Sequence, residues 1–257
     1  VSFVREGVLP QEELAARLME TEQALCIVNT RKRARQIYEM LPEEGRFHLS
    51  TLMVPENRER TLEVIRERLQ KGKICRVVST SLVEAGVDVD FPTVWREMTG
   101  LDSILQAAGR CNREGRRNAE QSIVHVFEME GGIPRGIMQQ REAAIKTMEK
   151  YPEINTRQAI QAYFKRLLME RGDDMLDQKK ILNLERSCMF KQTEREFRLI
   201  DEDTRTVYIP NRENAADLAR LRAGQYSKTL FRRLARSSVN IYQKEYLKLV
   251  SAAAVED

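Results

Sequence analysis

The sequence predicts an α/β fold: a parallel sheet with helices on both faces, followed by a mostly helical accessory region with a small hairpin. Three observations lead there. Through residue 130, short apolar runs alternate with charged, helix-compatible segments, which is the pattern of parallel strands joined by helical crossovers. At Gly131-Gly132-Ile133-Pro134 a cluster of breakers ends that alternation, and the pattern beyond it is helical. A chain of 257 residues is also long enough to bury a core without disulfide staples.

Ala24 to Asn29 is a short apolar run and reads as a strand, and the charged segment Arg31 to Leu41 after it reads as a helix. Phe47 to Thr51 is the next strand. Glu56 to Lys71 is a helix with Leu62, Ile65 and Leu69 on its inner face, and it stops at Gly72. Ile74 to Ser79, Val94 to Met98 and Ile123 to Phe127 complete the expected sheet. Past the breakers, Gln139 to Tyr151 and Thr156 to Arg171 read as helices. Phe197 to Ile200 and Thr206 to Ile209 flank Asp201-Glu202-Asp203-Thr204 as a hairpin, and two further helices cover Glu213 to Ala223 and Ser227 to Ala235. The expected domains are residues 1–130 for the sheet, 131–180 for a helical linker region and 181–257 for a basic C-terminal accessory domain.

Cys26, Cys75, Cys111 and Cys188 lie too far apart for a Cys-x-x-Cys pair, so reduced thiols are expected rather than disulfides or zinc. No apolar stretch approaches the roughly 20 residues of a membrane span and no signal peptide is present, which predicts a soluble cytoplasmic chain without membrane contact. His48 and His125 each sit in a strand and neither adjoins an aspartate, so both read as core or edge residues and no metal site is expected. The net charge of +4 is unevenly distributed. Residues 1–130 hold 19 Lys and Arg against 21 Asp and Glu, whereas residues 131–257 hold 24 against 18. Between Leu218 and Val250, Arg220, Arg222, Lys228, Arg232, Arg233, Arg236, Lys244 and Lys248 face a single acid, Glu245. Such a stretch favours a polyanion such as nucleic acid, or forms a solvated helix face. Leu230, Phe231 and Leu234 stand at helical spacing as a core stripe, which leaves Arg232, Arg233 and Arg236 on its flanks as candidates for DNA or partner contact.

Two motifs carry chemistry. Gln106-Ala107-Ala108-Gly109-Arg110-Cys111-Asn112-Arg113-Glu114-Gly115-Arg116 ends a short apolar helix that Asp102-Ser103 is expected to cap. Three-residue spacing predicts Arg110 and Arg113 on one helical face, where both guanidinium groups can meet one phosphate. Arg116 and Arg117 read as surface charges paired with Glu114 or Glu120. In the second motif, Val77-Val78-Ser79-Thr80-Ser81-Leu82-Val83-Glu84-Ala85-Gly86-Val87-Asp88-Val89-Asp90, a strand ends in hydroxyl residues, Gly86 allows close backbone approach and Asp88 presents a carboxylate. Hydroxyls at a strand end suit a nucleic-acid phosphate and a carboxylate just beyond glycine suits a ribose hydroxyl, although a Gly-x-Asp turn alone is also a common structural device.

Together these motifs resemble the fifth and sixth conserved motifs of superfamily-two helicases, in the order expected of the second RecA-like domain. Cys26-Ile27-Val28-Asn29-Thr30-Arg31-Lys32-Arg33-Ala34 resembles the fourth motif, and His48 to Pro55 the strand end after it. Within that superfamily, the wording from Ser81 to Phe91, the wording from Ala108 to Arg116, and the tail Leu230-Phe231-Arg232-Arg233-Leu234 with Ser238 to Tyr242 resemble the CRISPR-associated helicase-nuclease of type I interference. The resemblance implies that Arg110 and Arg113 reach ATP phosphates across a cleft and that Gln106 helps organise the attacking water. It implies that Gly86 and Asp88 lie at the phosphates and ribose, and that Thr30, Ser50 and Thr80 grip a single-stranded DNA backbone. ATP with Mg would be held mainly by a first RecA-like domain, since this chain has no Gly-x-x-x-x-Gly-Lys-Ser/Thr loop. The start at Val1 fits a fragment that lacks that domain and the nuclease domain, is inactive alone, and works on DNA unwinding with a CRISPR surveillance complex. The alternative expectation is a stand-alone nucleic-acid-binding or regulatory module that keeps a RecA-like shell without ATPase activity.

Overall fold

The computed structural model describes residues 1–84, 86–197 and 203–255, with residues 170–176 described by their backbone alone. Along the chain, β1 (Ser2–Leu9), α1 (Gln11–Glu20), β2 (Gln23–Ile27), α2 (Arg31–Met40), β3 (Arg46–Leu49) and α3 (Pro55–Gln70) come first. They lead into β4 (Cys75–Ser79), β5 (Thr93–Glu97), α4 (Leu101–Ala108) and β6 (Ile123–Met129). After these stand α5 (Met138–Lys150), α6 (Arg157–Leu176), α7 (Ile181–Arg186), α8 (Phe190–Glu196), β7 (Thr204–Tyr208), α9 (Ala215–Arg222), α10 (Lys228–Ala235), β8 (Ser238–Tyr242) and α11 (Gln243–Ser251). The chain divides into two compact units, one of Val1–Met98, Ser103–Pro134 and Thr204–Asp257, the other of Thr99–Asp102 and Arg135–Asp203.

In the first unit, six strands run parallel in the order β1-β6-β5-β2-β4-β3. The central strands β2 and β4 are buried on both faces, which is why they read as unbroken apolar runs rather than alternating ones. One face packs Ala24, Cys26 and Val28 of the β2 region with Leu14 and Leu18 of α1 and Ala34 and Ile37 of α2. Leu62 and Ile65 of α3 and Ile104 and Ala107 of α4 are buried as well. Five strands match the expected sheet; β1 was not anticipated. Its sequence places Arg5, Glu6 and Gly7 mid-strand, because it is an edge strand whose register slips at a bulge where Gly7 has φ +73°.

The expected hairpin needs a correction. Its first arm, from Phe197 to Ile200, falls mostly outside the described residues, and its second arm is β7, which pairs antiparallel with β8, some thirty residues later. A small core of Leu218, Leu230 and Leu234 holds α9 and α10 together. Phe231, expected in that stripe, is 42% exposed and stacks on Tyr226, because its position faces away from Leu230 and Leu234. In the second unit, α5 buries Ala143, Ala144, Thr147 and Met148, and the hydroxyl of Tyr163 on α6 donates to Asp102 at 2.8 Å.

Among the thiols, burial pushes Cys75 up to about 12 and Cys111 up to about 11, so neither is a nucleophile at neutral pH. His125 stacks on Trp95 with ring centroids 4.0 Å apart and bonds to Glu6 at 2.5 Å, while burial lowers the pKa of His48.

A buried cation fixes the end of α1. Arg76 on β4 donates to the carbonyls of Leu18 (2.9 Å) and Thr21 (2.8 Å) through Nε and to that of Met19 (2.8 Å) through Nη2, satisfying acceptors that the helix end leaves open. Arg76→Met keeps the apolar stem but removes the guanidinium bonds to these carbonyls, and urea unfolding should show a loss of about 2–4 kcal/mol.

Candidate functional site

Strand β5 delivers the chain to α4, which stops at Ala108. The next residues fold as a turn: Arg110 N–H donates to Ala107 O at 2.9 Å and Cys111 N–H to Ala108 O at 2.9 Å. Phe91 then locks the turn, donating its N–H to Arg110 O (2.9 Å) and accepting from Asn112 N–H (3.0 Å). Asn112 takes a left-handed conformation at φ +50°, and Asp90 accepts from Arg113 N–H at 2.7 Å. Arg110 and Arg113 therefore do not share a helical face as their spacing predicted. Helix α4 ends before both, and a turn pinned by Phe91 and Asp90 sets their positions instead. Nor do Asp102 and Ser103 cap α4. They lie inside it, where Asp102 accepts from Tyr163 and Ser103 Oγ donates to Glu84.

The two guanidinium groups differ in how far they are committed. Arg110 Nη2 donates to the main-chain carbonyl of Glu84 at 2.7 Å, and its Nε is buried without a hydrogen-bond partner among the described residues. Burial, followed by the neighbouring charge of Arg113, pushes its pKa below the usual arginine value, against an opposing pull from Asp88. Arg113 Nε pairs with Asp88 Oδ1 at 3.2 Å, with side chains 41% and 77% exposed, so solvent screens the pair and its contribution is about 0–1 kcal/mol. Asp88 is steadied from behind, since Arg66 Nε donates to its carbonyl at 2.9 Å. Gly86 is exposed at φ +73°, and Gln106 is exposed on α4. Chemically, the arrangement offers one cation held without a carboxylate, a second cation in a weak pair, and an exposed carboxylate that can accept from hydroxyls. Of the neighbours, Arg116 pairs with Glu114 at 2.7 Å as expected, whereas Arg117 pairs with Asp90 at 3.0 Å because the turn carries it to that carboxylate.

Beneath this surface lies a polar cluster that sequence reasoning missed. Arg96 of β5, 2% exposed, lies with Nε 2.9 Å from Glu84 Oε1 and donates through Nη1 to Asn29 Oδ1 (2.7 Å) and through Nη2 to Ser103 Oγ (2.9 Å). Ser103 Oγ in turn donates to Glu84 Oε2 at 2.7 Å. Next to it, Glu97 accepts from Asn29 N–H at 2.7 Å and pairs with Arg33, which also donates to the carbonyls of Glu130 and Gly132. The available signal was an Arg-Glu dipeptide at the end of an otherwise apolar strand.

Thr30, Ser50 and Thr80 follow the carboxyl ends of β2, β3 and β4, and these strands are neighbours with β4 in the middle. Two of the three hydroxyls have local duties: Thr30 Oγ1 accepts from Arg33 N–H at 3.2 Å as the cap of α2, and Ser50 Oγ, in a buried residue, accepts from Leu52 N–H at 3.2 Å. Thr80 is half-buried and its side chain makes no cap bond. Of the basic trio, Arg233 is held in a two-bond fork by Asp217 at 2.6 and 2.7 Å and Arg236 meets Glu59 at 3.3 Å, while Arg232 is exposed with no ion pair among the described residues.

Comparison with known proteins gives this geometry its context. A family model described as the C-terminal part of the CRISPR-associated nuclease/helicase Cas3 matches residues 20–116. The CRISPR-associated helicase Cas3 of Thermoproteus tenax is 29% identical over 134 residues, which span 51% of this chain and 22% of that protein. The crystal structure of T. fusca Cas3-ATP superposes with a TM-score of 0.64 at 14% identity, covering 95% of this chain and 36% of that one. A chain in a CRISPR RNA-guided surveillance complex, pre-nicking, gives a TM-score of 0.58 at 15% identity, covering 94% of this chain and 37% of its own length. The fold is thus RecA-like, and the chain spans little more than a third of each of these two solved chains.

The turn at Gly86 is testable by itself. A Cβ built there meets nothing within 4 Å, so Gly86→Ala carries only the cost of its positive φ, and denaturant unfolding should show a loss of about 1 kcal/mol without loss of fold.

Proposed function

We propose that this chain, whose residues 20–116 match the family model of the C-terminal part of the CRISPR-associated nuclease/helicase Cas3, is the second RecA-like domain and basic accessory region of an ATP-driven single-stranded DNA translocase acting in CRISPR interference. A first RecA-like domain would hold ATP and Mg, which would supply charge neutralisation at the phosphates, and closure of the cleft brings Arg110 to the transferring phosphoryl group. The observation that carries this reading is the state of Arg110: a guanidinium positioned by a main-chain carbonyl keeps its full charge for an incoming anion, and its buried, unpartnered Nε leaves a donor to satisfy.

Arg113 joins after an exchange. Asp88 turns to the ribose hydroxyls, which releases Arg113 from a pair weak enough to yield to a phosphate. Gln106 orients the attacking water, and Gly86 lies near the phosphates. The hydroxyl row of Thr30, Ser50 and Thr80 lies along the DNA backbone, with Thr80 the member free to bond it. Because Thr80 and Gly86 belong to one short segment, cleft movement shifts the grip and hydrolysis becomes stepping. A nuclease domain and a surveillance complex are the partners proposed for the whole protein, with the cytoplasm as its location. A second reading, a nucleic-acid-binding module without ATPase activity, is favoured by the Arg113–Asp88 pair, which neutralises both side chains without nucleotide.

Together with the nucleotide-binding domain, Arg110→Ala should lower DNA-stimulated ATP hydrolysis by about 10³-fold or more while circular dichroism stays native; unchanged turnover supports the binding module. For the basic helices, Arg232→Ala should weaken single-strand binding and reduce the salt slope by roughly one ion. Arg233→Ala, which frees Asp217, should change that slope less, and equal slopes for all variants would remove α10 from the interface.

A further inference from the structure

Glu84 is bonded at both its main chain and its side chain, and the two sets of bonds face different parts of the site. Its carbonyl accepts from Arg110 Nη2 at 2.7 Å. Its carboxylate sits 2.9 Å from Arg96 Nε and accepts from Ser103 Oγ at 2.7 Å. Just before it, Ser81–Val83 form a single short turn closed by Glu84 N–H on Ser81 O at 3.0 Å. The carbonyl that holds the Arg110 guanidinium and the carboxylate held by Arg96 and Ser103 thus belong to one residue.

That anchor is stiff. Arg96 is rooted in β5 between two paired strands and is held a second time by Asn29 Oδ1 and by the carbonyl of Glu97 at 2.9 Å. Ser103 stands on α4, the helix that ends two residues before Arg110, so Glu84 ties the beginning of α4 to a residue just past its end. Neither Glu84 nor Arg96 is exposed, which removes them from contact with substrate.

We propose that Glu84, anchored by Arg96 and Ser103, is a positioning residue that aims Arg110 at the nucleotide phosphate. The inference rests on the ATPase reading given above for Arg110. A transferring phosphoryl group needs its cation within a fraction of an ångström, and misplacement by about 1 Å costs on the order of 100-fold in rate. A salt bridge that only stabilised the fold would alter the amount of folded protein and leave turnover per folded molecule unchanged.

The test compares Glu84→Gln, Ser103→Ala and Arg110→Ala. In the protein that includes the nucleotide-binding domain, Glu84→Gln should lower kcat for DNA-stimulated ATP hydrolysis by roughly 10–100-fold with KM for ATP within about twofold, and Ser103→Ala should do so by a few-fold. In the present chain alone, ¹⁵N relaxation of the Arg110 Nε–H should show that group mobilised in both variants. If Glu84→Gln fails to fold, Ser103→Ala, which removes one hydroxyl and no charge, carries the test. The inference is overturned if Arg110→Ala abolishes turnover while the folded Glu84 and Ser103 variants keep normal kcat and a rigid Arg110. If Arg110→Ala leaves turnover intact, the ATPase reading fails instead, and the relaxation measurement still decides whether Glu84 holds Arg110.

Discussion

A guanidinium sealed inside a parallel sheet must bring its own counter-charge, and Arg96 sets that requirement for this protein. Its burial is tolerable because Glu84 lies against it, with Glu97, itself paired to Arg33, close by. Leaving one member of such a set uncompensated costs on the order of 3–5 kcal/mol, so the side chains that surround Arg96 are not free to drift. They come from the end of β2, the turn after β4, the end of β5 and the start of α4, so one electrostatic demand ties together the segments that emerge at the carboxyl edge of the sheet.

That edge is where open parallel sheets put their chemistry, and here it has two layers. The inner layer is dry and ionic. The outer one is wet: Asp88, Arg113, Gly86 and Gln106 are exposed, and the only direct ion pair among these four is a screened one. Arg110 bridges the layers, half-buried, with its charge facing a carbonyl rather than a carboxylate. A cation placed this way has low reorganisation to undergo when an anion arrives, which is the electrostatic condition for stabilising charge that develops during reaction.

How much of this the sequence disclosed follows from the physics of each part. Strands β2 to β6 and helices α2 and α3 were legible because strands buried on both faces leave continuous apolar runs and surface helices leave periodic ones. β1 was hidden by its edge position, which lets Arg5, Glu6 and Gly7 sit in a strand. The pairing of β7 with β8 was hidden by distance along the chain, since local pattern favours the nearest partner. In the site, the motifs picked out Arg110, Arg113, Gly86 and Asp88, but spacing alone implied a helix where Asn112 turns left-handed. The contacts of Arg96 with Asn29, Glu84 and Ser103 join residues from distant parts of the chain, and no periodicity reports which charges meet in space.

The two outermost strands have one more property. β3 has only four residues, three of them half-exposed and two of them Arg46 and His48, while β1 breaks its register at Gly7 and carries Arg5 and Glu6. A rim that is brief on one side, and kinked and charged on the other, gives a second molecule no straight apolar template to zip onto. The sheet can therefore expose its borders without seeding fibrils, and this tolerance leaves the carboxyl ends of its strands free to be shaped for chemistry.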